Sequence, residues 1–370
     1  MTRFWLLILM LPLALLPGAC TEKEPVRIGF LAALTGRYAD LGLAGRNGAL
    51  LAVEECNRTG GLHGRKVELL VRDNGANADQ AIQAVRQLDQ AGVTVLIGPM
   101  LSQMAMVIKP EIDSLRLVTV SPTVSTDYLD NLDDWFFRLY PSIRHFAVRY
   151  AERLFNHERL HRLSVLIDES NAAYTQTFYQ AFAQAFTKLG GSLEPPVTYH
   201  TGSAVPFYRL AETIRRQQAE GLLLLSGAMD SAMVLHQLRS RGYKQPVFAT
   251  EWSGTEDLLT YGGTAVEGLT FYNTYDRHSG SPAYLDFVDR YRKRFGQEPG
   301  FASVHAYDAT NMALEALRRG GAGPEQLKQA LLTLGPFPGL QAMLKLTPTG
   351  DIDRPLFHVR VENSRFHTLR

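Results

Sequence analysis

Cysteine is almost absent. The 370 residues hold two, Cys20 and Cys56, too few for a scaffold stapled by disulfides. Charge of one sign is lacking too, since 38 Lys and Arg stand against 37 Asp and Glu. This balance gives no electrostatic case for nucleic acid, which needs a basic face, and none for a disordered chain. After residue 20 no apolar run approaches the roughly 20 residues a membrane-spanning helix requires. No fixed-period repeat, low-complexity tract or Gly/Ser linker occurs, and neither a G-x-S-x-G elbow nor a P-loop is present. Gly42 to Gly48 is glycine-rich but wrongly spaced for a dinucleotide fingerprint. It more simply lets a helix start close to a sheet.

What is there begins with a distinct first segment. Arg3 supplies a positive start, and residues 4–16 are apolar apart from Pro12. Small residues then precede Cys20, so residues 1–19 read as an export signal. Gly18-Ala19-Cys20 resembles a bacterial lipobox. That implies a lipidated Cys20, a linker at 20–24, and a periplasmic or cell-surface protein anchored by lipid. The usual leucine three residues before the cysteine is here Pro17, with Leu16 one step further away. Ordinary cleavage nearby and a Cys20–Cys56 disulfide are the other readings. With Cys20 lipidated, Cys56 is a lone thiol on the apolar side of a helix.

From residue 25 short apolar runs alternate with amphipathic ones. Strands are expected at 26–32, 66–72, 93–98 and 115–120, with helices at 45–57 and 79–90. The rhythm restarts with a helix at 147–156 and strands at 163–168, 222–226 and 246–250, separated by helices at 174–189 and 232–241. Helices at 283–295, 304–318 and 325–332 follow, and the tail reads as strands and turns. The expected fold is α/β, with two doubly wound parallel-sheet lobes joined by a multi-strand hinge. Lobe 1 would span 25–143 plus 275–353, and lobe 2 would span 144–274 plus 354–370.

Ligands bind beyond the carboxyl ends of strands in such sheets. Those ends carry Tyr38, Ser102, Thr123, Ser125, Tyr174 and Glu251. Ser102 and Ser125-Thr126 stand where helices are expected to begin, which favours an anion. Glu251, on the opposite half, would suit an ammonium. Each has a plainer reading: the serines as N-caps, the tyrosines as packing residues, Glu251 as a solvated loop acid. Tyr275, near the last expected crossing, is a hinge residue or a packed strand end.

His157-Glu158-Arg159-Leu160-His161 matches the H-E-x-x-H signature of zinc proteases. It falls where a helix is expected to end, and His161-Arg162 leads into a strand. No cofactor or metal is expected.

The stretches Val26 to Asn74, Val95 to Gln103, Leu117 to Thr126 and His305 to Leu317 resemble the branched-chain amino acid (Leu/Ile/Val) ABC transporter substrate-binding protein family, of the type I periplasmic binding fold. Leu346 to Asp351 resembles its late turn. The resemblance implies a protein that closes on an amino acid-like ligand and delivers it to an ABC permease, and a freely hinging monomer is the default expectation. It implies that Ser102 and Ser125 hold the ligand carboxylate with the backbone of Thr123, that Tyr38 and Tyr174 line the side-chain pocket, and that Glu251 takes the ammonium. A ligand sensor of the same fold without transport is the alternative. There are departures. Ser226 to Asp230 lacks the aromatic the family often places against the ligand, and Trp252 stands where some relatives have glycine. Asn77 and Leu101 lie where some relatives carry a disulfide.

Overall fold

The computed structural model describes residues 23–202 and 204–369. The expected export signal and Cys20 lie outside the described residues.

The chain runs β1 (Val26–Ala32), α1 (Ala39–Arg58), β2 (Val67–Asp73), α2 (Ala78–Gln90), β3 (Leu96–Ile97), α3 (Ser102–Leu115), β4 (Thr119–Ser121) and β5 (Phe136–Arg138). It continues with α4 (Ile143–Asn156), β6 (Arg162–Asp168), α5 (Ala172–Lys188), β7 (Ser192–Leu193), β8 (Val197–Tyr199), α6 (Phe207–Gln217), β9 (Gly221–Leu225), α7 (Ala228–Arg239) and β10 (Val247–Ala249). Then come α8 (Glu256–Gly262), β11 (Thr270–Asn273), α9 (Pro282–Phe295), α10 (Phe301–Gly320), α11 (Pro324–Thr333), β12 (Phe337–Pro338), β13 (Met343–Leu344), β14 (Phe357–Glu362) and β15 (Arg365–Leu369).

Two sheets organise these elements. The first is parallel, in the order β2-β1-β3-β4-β5. The second runs β15-β14-β11-β10-β9-β6-β7, with β8 also on β6. Its central strands are parallel, while β14 and β15 add an antiparallel edge. Helices cover both faces, so the inner strands read as unbroken apolar runs. Every residue of β9 is buried.

The chain passes between the sheets after β5, after β11 and before β14. Helices α9 and α10 return to the first lobe, where α10 packs along α1. Glycine lets α1 approach both α10 and the end of β1. A Cβ at Gly48 would lie 2.1 Å from the carbonyl oxygen of Ser303, and one at Gly42 would lie 1.9 Å from that of Ala33. No side chain fits either gap.

Gly42 also bears on where α1 begins. Periodicity starts α1 at 45, but it begins at Ala39. Helical glycine costs about 1 kcal/mol, and close tertiary contact overrides that propensity here. The strands expected at 93–98 and 115–120 shorten to Leu96–Ile97 and Thr119–Ser121. Strand β5 and helix α6 were not expected from periodicity. The H-E-x-x-H stretch lies past the end of α4, whose last residue is Asn156, and Arg159 has a left-handed backbone (φ 57°). His157 and His161 therefore do not share a helical face, and the His161 ring packs on Phe155 instead. Tyr275 is buried against Tyr284 and His305.

Candidate functional site

The strand ends of the two sheets face each other across a narrow cavity. Its polar walls are Ser102 and Thr123 from the first lobe, and Asn171, Tyr174 and Glu251 from the second. Leu41, Met100, Leu101, Trp252 and Phe301 supply apolar wall. The gap between its atoms is about 260 Å³, part of it open to solvent.

Glu251 follows β10 in a short 3-10 turn and is 4% exposed. The Tyr174 hydroxyl donates to its Oε1 at 2.9 Å. No cation lies within ion-pair distance of it among the described residues. Burial therefore pushes its carboxyl up to about 7, against the opposing hydrogen bond from Tyr174. An acid held dry beside a cavity, without a counter-charge, is an unfilled electrostatic demand.

On the facing wall, Ser102 opens α3 and its Oγ accepts from the Ser125 N–H at 3.3 Å. Ser125 is wholly buried and its own Oγ has no hydrogen-bond partner. The expected helix after Ser125-Thr126 is only a single 3-10 turn, Asp127–Leu129, whose Tyr128 N–H is capped by Thr126. The Thr123 hydroxyl donates to Met100 O at 2.6 Å, so its side chain is already engaged within the first lobe.

Of the six residues singled out from sequence, Ser102, Thr123, Tyr174 and Glu251 line the cavity, and Ser125 stands behind Ser102. Tyr38 is not part of the wall. Its hydroxyl reaches across the lobes and donates to Asp168 Oδ2 at 2.7 Å, while its ring lies 5.5 Å from that of Trp252. It belongs to a latch that strand-end reasoning missed. Asp168 and Asp230 form a socket in the second lobe, bridged by the Thr201 hydroxyl at 2.6 and 2.8 Å. Arg37 enters beside Tyr38, with Nε 3.4 Å from Asp230 Oδ1 and its guanidinium over the Phe207 ring.

A second cross-lobe contact is reciprocal capping. Asn171 Oδ1 accepts from the Gln103 N–H at 2.9 Å, and Gln103 Oε1 accepts from the Ala173 N–H at 3.1 Å. Each side chain thus satisfies an unpaired donor at the start of the other lobe's helix. The only sequence signal was that both residues stand at helix starts.

A larger hollow, about 1180 Å³ by the same measure, lies beside Cys56 in the first lobe. Its charges are matched internally, Arg290 with Glu55 and Asp286, and Arg318 with Glu315. The small cavity differs in setting an acid without a counter-charge on one lobe against a buried hydroxyl on the other.

Two parallel-sheet lobes, crossed three times by the chain and closed over a cavity at their strand ends, define a two-lobed solute-binding fold. The chain belongs to the periplasmic binding protein family, whose family model matches residues 25–365. It is 24% identical over 348 residues to Leu/Ile/Val-binding protein homolog 3 of Brucella melitensis, covering 92% of each chain. The solved branched-chain amino acid transporter substrate binding protein LivJ from Streptococcus pneumoniae, in complex with isoleucine, superposes with a TM-score of 0.86 at 18% identity, covering 94% of this chain and 99% of that one. The solute binding protein of an ABC transporter from R. palustris, in complex with benzoate, gives a TM-score of 0.85 at 17% identity, covering 94% of this chain and 96% of that one.

Proposed function

We propose that this protein captures an α-amino acid by closing its lobes, one spanning 25–143 plus 275–353 and the other 144–274 plus 354–370, and presents it to an ABC permease. Glu251 carries the reading. A buried acid with no counter-charge is costly unless a cation arrives, and an ammonium supplies one. Ser102 and the backbone of Thr123 face it with donors for a carboxylate, with Ser125 behind Ser102, at the start of α3 where the helix dipole favours negative charge. A zwitterion satisfies both walls at once. The lipid anchor at Cys20 would hold the protein at the membrane beside its permease.

The reading sets a pH dependence. Below about 7 the unliganded protein holds Glu251 neutral, whereas an ammonium needs the anion. Binding therefore releases a proton below that point. Affinity for an amino acid is expected to rise as pH goes from about 5 to about 7.5, approaching tenfold per unit at the acid end. Calorimetric titration across that range, in buffers of different ionisation enthalpy, measures both effects. Affinity that stays flat across it, with no proton release, would remove Glu251 as the ammonium seat.

The latch gives a second expectation. Tyr38→Phe removes a buried donor to Asp168 without touching the cavity wall. Loss of such a bond is worth about 1.4 kcal/mol, so affinity should fall about tenfold as the closed form loses population. Stopped-flow kinetics should show faster ligand release with association little changed.

A further inference from the structure

We infer that Trp252 sets the size limit of the cavity, and that the amino acid it admits has a small side chain, of the glycine, alanine or serine class. The inference rests on the reading of Glu251 as an ammonium seat and narrows it.

The indole stands directly after Glu251 and is 5% exposed. Three neighbours fix it. The Tyr174 ring meets it edge-on at 5.7 Å and 70°, the Tyr38 ring lies 5.5 Å away, and Gly227 lies under its six-membered edge. A Cβ at Gly227 would sit 3.6 Å from Trp252 Cε2 and Cζ2. The strand end at 226–230, which carries no aromatic, is therefore where the ring from the next strand lies. The ring is held on one side by Tyr38, itself tied to Asp168, and on another by Tyr174, itself tied to Glu251. An indole packed on these sides does not swing away for a larger ligand without breaking the latch or the Tyr174–Glu251 bond.

The space left agrees. The gap between the walls is only about 260 Å³, part of it open to solvent, so the lobes part a little to admit even glycine and the fixed ring limits what can lie beyond its α-carbon. The carboxylate and ammonium take the Ser102 and Glu251 ends. Met100, Leu101 and Phe301 close the remaining wall, leaving little volume for an isobutyl or benzyl group.

The test is calorimetry of the parent protein and Trp252→Ala with glycine, alanine, leucine and phenylalanine. The parent should prefer glycine or alanine to leucine by at least about tenfold, the scale on which apolar pockets discriminate. Trp252→Ala should invert the order, with leucine or phenylalanine gaining at least about tenfold. Trp252→Phe, which keeps a ring against Gly227, should give an intermediate order and decides the matter if the alanine variant fails to fold. A parent that binds leucine as tightly as alanine would overturn the size limit while leaving Glu251 in its role. If neither parent nor variant binds any of the four, the ammonium seat is at fault and the inference falls with it.

Discussion

Glu251→Gln should lower affinity for an α-amino acid at pH 8 by about 100-fold or more. The variant keeps the shape and the Tyr174 partner but loses the charge that meets the ammonium. Truncating one member of a buried charge pair costs about 2–5 kcal/mol, and the absence of any other acid on the cavity wall leaves no substitute. Unliganded stability should move the other way. The carboxyl of Glu251 ionises in the folded protein only near 7, whereas in the unfolded chain it ionises near 4.5. Its contribution is therefore neutral at low pH, becomes unfavourable as pH rises from about 4.5 to about 7, and stays so above. Glutamine removes that cost, so at pH 8 the variant should melt at or above the parent's midpoint. Calorimetry and thermal unfolding on one preparation test both halves. Undiminished affinity, or a large loss of stability, would make Glu251 a structural acid. An acid kept at a cost to the fold is a common mark of a binding position.

The largest stability effect is expected at Arg138, which ends β5 and is 1% exposed. Its Nε donates to Asp351 Oδ1 at 2.8 Å, its Nη2 to Asp130 Oδ1 at 2.7 Å and its Nη1 to Thr126 O at 2.7 Å. One planar group thus ties the last strand of the first sheet to the 126–130 loop and to the late turn around Gly350. Arg138→Met should cost about 3–5 kcal/mol, because it leaves two partly buried carboxylates unpaired. Arg138→Lys keeps the charge but cannot fill three directions, and should fall between. Thermal or urea unfolding reads the loss. Because Thr126 follows Ser125, ligand affinity should drop with it. A cost below 1 kcal/mol for the methionine variant would show that the turn holds without this group.

Much of the architecture was legible because parallel strands covered on both faces read as unbroken apolar runs. Val26–Ala32 is a strand with the bounds expected, and β9 announces itself as Leu222 to Leu225. The strand-end rule then brought Ser102, Thr123, Tyr174 and Glu251 to one cavity from segments far apart in sequence. It failed where placement depends on distant partners. Tyr38 follows β1 as expected, yet its hydroxyl is claimed by Asp168, 130 residues away. Trp252 stood out only as a departure. Its position as a wall depends on Tyr38, Tyr174 and the strand end at Gly227, all distant in sequence, which one-dimensional periodicity does not register. The start of α1 was hidden for a similar reason, since its glycines make it a poor helix in isolation and a good one against Ala33 and Ser303.

The antiparallel edge of the second sheet bears on the order of synthesis. Strand β14 lies beside β11 and β15 closes the rim, yet in chain order both come after every strand of the first sheet. The first sheet is no more self-sufficient, since it waits for α10 and for Asp351 to meet Arg138. Neither half is a contiguous piece of polypeptide that could mature while the other is still being made, as successive domains of a chain commonly do. Each half therefore needs segments that lie beyond the other in the chain, so the two halves complete together.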